Sequence, residues 1–284
     1  MSTRATALQP FPPGVGEVLV EPEWLEEHRH DPMVRIVEVD VSPVAYDDGH
    51  IDGAVLWNIY RDLKDSQYRL VDKSEIERLV ARSGITAEST VVFYGYGPAI
   101  GFWLLKLYGH ADVRILNCAR RTWRDEGRAW TTEVATLTAT TYELTEEDTR
   151  IRARCSEVQH AIVDPDSITV DVRSEAEFHG ERFWPSGGIE EGGRAGHIPS
   201  AIHTPIDGVY DERGAFRDTQ DLNQLFSPIT SSTASDIITY CTIGSRACTA
   251  WFALTYLLGR NHVRVYDGSW AEWGRTPTTP ITCP

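Results

Sequence analysis

The chain contains no apolar run that approaches the roughly 20 residues of a membrane-spanning helix, so no membrane partner is expected. Its N-terminus lacks the basic patch and apolar stretch of a secretory signal, which makes the cytoplasm the expected location. Cysteine is sparse. The five residues Cys118, Cys155, Cys241, Cys248 and Cys283 are odd in number and dispersed, which argues against a disulfide scaffold. No Cys-x-x-Cys or Cys/His spacing suggests a metal site. Positive charge is also short, with 27 Lys and Arg against 42 Asp and Glu and a formal net charge of −15. That balance argues against nucleic acid as a partner. Any site for an anion must therefore be a local positive spot on a negative body.

What the chain does have is concentrated in Ile237-Ile-Thr-Tyr-Cys-Thr-Ile-Gly-Ser-Arg246. A short β-branched run ends at Tyr240, Cys241 follows at once, and a tight loop leads to a helix-forming stretch over 247–258. This puts Cys241 at the carboxyl end of a strand and the amino end of a helix. Unpaired backbone N–H groups converge at such a point, and the helix dipole adds partial positive charge. Both favour a thiolate, the nucleophilic form of cysteine. Arg246 adds a full charge near the rim. A half-buried core cysteine is the plain alternative, but the turn glycine and the strand–loop–helix context favour the reactive one.

The chain also repeats itself. A helix near 25–28 and a strand Arg35-Ile-Val-Glu-Val-Asp40 correspond to a helix over 156–162 and a strand Ile168-Thr-Val-Asp171. Gly49-His50-Ile51-Asp52-Gly53-Ala54 corresponds to Gly196-His197-Ile198-Pro199-Ser200-Ala201. Val91-Val-Phe-Tyr94 and Val113-Arg-Ile-Leu116 answer to Ile237-Ile-Thr-Tyr240 and Val263-Arg-Val-Tyr266, with a helix between the members of each pair. Short buried strands alternating with helices predict an α/β fold of two domains, each a parallel sheet with helices on both faces. Ligands in such sheets bind beyond the carboxyl ends of the strands, where Cys241 lies. The expected limits are 1–135 for the first domain, 136–150 for a Thr-rich linker and 151–284 for the second. Where the second half has Cys241 after its tyrosine, the first has Gly95 after Tyr94, in a loop that reads as shortened. Only the second half is equipped for chemistry.

These features together resemble the rhodanese family, specifically its tandem two-domain sulfurtransferases. The resemblance covers nearly the whole chain. It rests on the two Gly-His-Ile elements, Asp171-Val172-Arg173, Arg194-Ala-Gly-His-Ile-Pro199, the Cys241 loop and Asp267-Gly-Ser-Trp270. It implies an inactive first domain, a catalytic second one, an active-site loop from Cys241 through Thr242, Ile243, Gly244 and Ser245 to Arg246, and a persulfide on Cys241. Cys241 would take sulfur from thiosulfate or 3-mercaptopyruvate and pass it to cyanide, a thiol or a protein acceptor, with no cofactor and no metal. The loop amides would steady the persulfide anion. Arg246 and Arg194 would bind the donor's anionic end, and Arg69 would reach across from the first domain. Asp171 and Arg173 would support the loop rather than touch substrate, and Trp270 would support it from beneath or line the cleft.

His50 and His197 sit in the repeated element, where a shared structural hydrogen bond is expected rather than a metal. Cys248 is expected to serve packing rather than to resolve the persulfide. The donor is expected to be thiosulfate. Mercaptopyruvate-using relatives tend to carry an arginine where this chain reads Phe178-His179-Gly180, and small residues after the cysteine where it reads Thr242-Ile243. Segment 181–193, with Phe183 and Trp184, departs from the family in composition and is expected to reshape the cleft mouth. A cysteine-dependent phosphatase needs five residues between Cys and Arg, whereas four separate Cys241 from Arg246. A non-enzymatic regulatory module is the remaining alternative, and an intact cysteine loop argues against it.

Overall fold

The computed structural model describes residues 14–283. The sequence expectations about the extreme N-terminus and about the outer limits at 1 and 284 lie outside the described residues. Twelve strands form among the rest. They are β1 (Leu19–Val20), β2 (Val34–Asp40), β3 (His50–Ile51), β4 (Val55–Asn58), β5 (Thr90–Gly95), β6 (Val113–Leu116), β7 (Trp130–Thr131), β8 (Arg152–Ala153), β9 (Ser167–Asp171), β10 (Ile202–His203), β11 (Asp236–Tyr240) and β12 (Val263–Tyr266). The first sheet runs β1-β6-β5-β2-β4 and the second β8-β12-β11-β9-β10, all parallel. The two orders are the same, so the repeat in sequence is a repeat in topology. The central strands are buried almost throughout, as near-continuous apolar runs such as Val91-Val-Phe-Tyr94 require when helices cover both faces.

Register refines the internal alignment. Glu38 lies opposite Tyr94 and Asp171 opposite Tyr240, so Glu38, and not Asp40, is the counterpart of Asp171. Each tyrosine hydroxyl accepts a bond from the N–H of the isoleucine in its own Gly-His-Ile element, Ile51 at 3.0 Å and Ile198 at 3.1 Å. Each histidine of those elements turns Nδ1 to a backbone carbonyl and stacks on an aromatic ring, His50 with Tyr46 and His197 with Phe178.

The two domains share one apolar core. Helix Pro98–Leu107 of the first packs on helix Ser245–Phe252 of the second and on the wider π turn, Ala253–Leu257, that continues it. Phe102 is the central contact, with ring centroids 5.0 Å from Phe252 and 5.2 Å from Tyr256. The sequence reads as one helix over 247–258, but the α geometry ends at Phe252. Residues 134–148 contain no helix or strand. They run along the first domain, anchored by Thr140 N–H to the Ala81 carbonyl (3.0 Å), Asp148 N–H to the Leu107 carbonyl (2.8 Å) and the buried Leu144. No helix among the described residues is long and apolar enough to cross a membrane.

Candidate active site

Strand β11 delivers Cys241 to the sheet's carboxyl edge, and four residues later the helix Ser245–Phe252 begins. Gly244 makes the turn at φ +90°, and a Cβ there would meet the Asp267 carbonyl oxygen at 2.8 Å, so no other residue fits without displacement. The turn brings the Gly244 N–H to 3.1 Å from Cys241 Sγ. The first-turn N–H groups of the helix, which have no carbonyl partner within it, lie at the same end. Segment 269–271 holds the loop from behind. Ser269 Oγ accepts from Cys241 N–H (3.1 Å), Trp270 N–H donates to the Cys241 carbonyl (2.9 Å), and Ala271 N–H donates to the Thr242 carbonyl (2.9 Å). Ser269 itself adopts φ +52° to make these contacts.

A cleft of about 490 Å³ opens above the sulfur. Tyr60, Tyr68 and Tyr96 of the first domain form one wall, Trp184 and Glu190 another, and Cys241, Thr242, Ile243, Ser245 and Arg246 the floor. Trp184 and Glu190 come from segment 181–193, which therefore does line the mouth. Phe183 is buried near Trp270, Trp184 Nε1–H donates to Glu190 (2.7 Å), and the Trp184 ring lies 5.3 Å from that of Tyr68.

Arg246 stands at the cleft but is not a free cation. Its guanidinium is bidentate on Glu177 at 2.8 and 2.9 Å and also donates to Thr242 Oγ1 at 2.7 Å. Thr242 Oγ1–H donates to Glu177 at 2.6 Å, and the Ser174 hydroxyl donates to the same carboxylate at 2.9 Å. Burial opposes the charge on Glu177, but Arg246 and these hydroxyls outweigh it and hold its carboxyl down at about 2. Sequence reasoning missed Glu177. Its signal was present as Ser174-x-x-Glu177, a capping box at the start of the short helix Glu175–Phe178.

Two expectations need correction. Arg194 does not face the cleft; it bonds the carbonyls of Trp273, Gly274, Thr276 and Thr279 and so ties the C-terminal segment to the second domain. Convergent carbonyls are a complete set of acceptors for a guanidinium, which leaves no fork for substrate. Arg69 pairs with Asp65 at the surface and borders a different depression, beside Arg152 and Glu272. Its neighbour Tyr68, at φ +62°, reaches the cleft instead.

The support residues lie behind the loop. Arg173 and Asp171 form a fully buried pair, and Arg173 also donates to the Gly196 carbonyl at 2.7 Å. The Arg173 guanidinium covers the face of Trp270 at 4.5 Å, and the Trp270 backbone holds Cys241. Trp270 is buried and does not line the cleft. His179 is exposed beside Glu175, away from the cleft. Cys248 is fully buried, and burial pushes its thiol well above the usual range. In the first domain Gly95 occupies the place of Cys241. Its φ is +107°, and a Cβ would meet the Val39 carbonyl oxygen at 2.9 Å, so that position has no room for a thiol.

Comparison with known proteins agrees with this architecture. The rhodanese-like domain family matches residues 21–126 and again 155–276. The "Sulfur carrier protein TtuD" of Thermus thermophilus is 40% identical over 274 residues, covering 93% of this chain and 96% of that protein. The "Putative thiosulfate sulfurtransferase SseA" of Mycobacterium bovis is 41% identical over 272 residues, covering 93% and 90%. Among solved structures, wild-type EanB superposes with a TM-score of 0.83 at 23% identity, over 95% of this chain and 70% of that one, a likeness of fold.

Proposed function

The chain belongs to the rhodanese family, and from that premise we propose that it transfers a sulfane sulfur from thiosulfate to a thiophilic acceptor through a persulfide on Cys241. The Cys241 thiolate attacks the outer sulfur of thiosulfate. A Cys241 S–S bond forms, the donor's S–S bond breaks, and sulfite leaves with the electron pair. The acceptor, a thiolate or cyanide, then attacks the terminal sulfur and restores the Cys241 thiolate. The observation that carries this reading is Cys241 Sγ at the floor of an open interdomain cleft with the Gly244 N–H 3.1 Å away. The silent first domain, taken to 135, and the working domain from 151 are part of the proposal. The five free cysteines suit a reducing compartment, in line with the cytoplasm.

The charges favour thiosulfate as the donor. Mercaptopyruvate needs a remote bidentate cation for its carboxylate. Arg246 is committed to Glu177, and Arg194, Arg69 and His179 are turned elsewhere. A compact dianion whose reacting sulfur sits against loop amides needs less. The same commitment of Arg246 weighs against a phosphatase, which requires a free guanidinium over the phosphate. The cleft far exceeds the volume of thiosulfate, and its aromatic walls suit an organic thiol or a segment of a sulfur-accepting protein.

Intact mass after incubation with thiosulfate is the direct test. The wild-type protein is expected to gain one sulfur atom, lost again on adding cyanide. Cys241→Ser is expected to gain none, while Cys248→Ser and Cys118→Ser load normally. Loading of Cys241→Ser would end the proposal. Side-by-side kinetics decide the donor: a tenfold or greater preference for mercaptopyruvate would replace thiosulfate and leave the persulfide route standing.

A further inference from the structure

Lys64 belongs to the first domain, follows the π turn Ile59–Leu63, and has a side chain only 1% exposed. Lysine is almost never buried to that degree without a full set of partners. Its ammonium has three donors but makes one hydrogen bond among the described residues, to the backbone carbonyl of Asp267 across the domain boundary at 2.8 Å. The Asp267 carboxylate is 3.9 Å away and already engaged. It takes Arg152 at 2.8 and 3.2 Å and the Leu70 N–H at 2.9 Å. Two buried cations therefore share one buried carboxylate. Among the described residues Arg152 has a second ion-pair partner in Glu147, which it divides with Arg154, whereas Lys64 has only Asp267.

The surplus charge lies under the reactive loop. Asp267, on which Lys64 sits, is the residue whose carbonyl closes against Gly244, and 269–271 follow it to bind Cys241 and Thr242. Burial lowers the basicity of Lys64, and the fields that oppose this come from Asp267, Cys248 and Cys241. Cys248 is held as a neutral thiol by its own burial. Cys241 is the sulfur whose loop closes on that same Asp267 carbonyl.

We infer that Lys64 is a positioning residue lent by the silent domain, whose ammonium, seated on the Asp267 carbonyl, balances the anionic sulfur of Cys241 from the buried side. The loop amides serve the same anion from the cleft side. The inference rests on the sulfur-transfer reading for its chemical purpose. Among the described residues the other titratable groups around Cys241 are Arg246 with its partner Glu177, Tyr60, Tyr68, Tyr96 and Glu190 on the cleft walls, Cys248 in the helix below and Asp267 behind the loop.

The test compares the full-length wild type with Lys64→Gln, which keeps a donor for the carbonyl but loses the charge, and Lys64→Arg, which keeps the charge. Two quantities are followed: the pH profile of Cys241 alkylation by iodoacetamide, read on the Cys241 peptide, and the single-turnover rate of sulfur loading from thiosulfate. Lys64→Gln is expected to move the alkylation midpoint up by about one pH unit and to slow loading about tenfold at pH 7, with Lys64→Arg recovering most of both. A Lys64→Gln protein that melts like wild type and matches it in both readouts overturns the inference, as does a Lys64→Arg protein as impaired as the Gln one. Lys64→Met replaces Lys64→Gln, with the same two outcomes, should the latter not fold. Failure of the wild type to load sulfur while the alkylation midpoint still moves would overturn the persulfide reading and leave the charge pairing intact.

Discussion

Glu177 shows how a single carboxylate ties three parts of the site together. It joins Ser174, Thr242 and Arg246, and its carboxyl is held at about 2 against an ordinary value of 4.5. A carboxyl lowered on folding adds stability that is complete above its unfolded value and disappears as pH falls through its folded value. The pair should therefore contribute up to roughly 3 kcal/mol at pH 7, lost between about pH 5 and pH 2. Glu177→Gln is expected to lower stability at pH 7 by about 3 kcal/mol, because it strands a largely buried guanidinium. It should also flatten the acid limb. Urea melts across that pH range check both, and an unchanged acid limb would assign the acid sensitivity to other carboxylates. At this scale the sequence was informative about backbone-determined positions and poor on side-chain direction. Cys241 and Gly244 were legible because strand end, turn and helix start dictate them. Arg194 and Arg69 were misplaced because a guanidinium on a long stem points wherever acceptors gather, and those acceptors are carbonyls distant in sequence for Arg194 and a neighbouring aspartate for Arg69.

The informative element is segment 181–193. It has no helix or strand, yet it is anchored at both ends of its aromatic pair, Phe183 against Trp270 and Trp184 against Tyr68 of the other domain. Glu190 returns to Trp184 and faces Arg275, whose guanidinium lies over Tyr68 at 5.4 Å. The segment thus makes a wall of the cleft. Trp184→Ala is expected to lower kcat/KM about tenfold for a bulky thiol acceptor, as loss of one aromatic contact would. With cyanide the change should stay within about twofold. Equal losses with both acceptors would make the segment a support for the loop rather than a surface for the acceptor. Its unusual composition was visible in the sequence. Its partner was not, since Tyr68 lies over a hundred residues earlier in a left-handed turn.

At the scale of the whole molecule, the two domains pack against each other along a shared apolar core. Phe102 enters the second domain's helix and π turn, Trp103 Nε1–H donates to the Ile151 carbonyl at 3.0 Å, and Lys64 reaches Asp267. Gly97 lies so close to the second domain that a Cβ there would meet Ser245 Oγ at 2.5 Å. Calorimetry is expected to show a single transition, and Phe102→Ala should lower stability by about 3–5 kcal/mol while keeping it single. Two resolved transitions in the wild type would mean that the domains melt independently.

The sequence by itself determined the two parallel sheets, their duplicated order, the cysteine at one strand end and the glycine that excludes a thiol at the other. These follow from local alternation of apolar strands with helices and from backbone conformations that few residues adopt. The Glu177–Arg246 pair, the meeting of Trp184 with Tyr68 across the cleft and the lysine beneath the loop were decided by tertiary structure alone. Each joins groups between 69 and 203 residues apart. Such partners are selected by burial, because a charge removed from water must take the nearest complementary group that the folded chain presents.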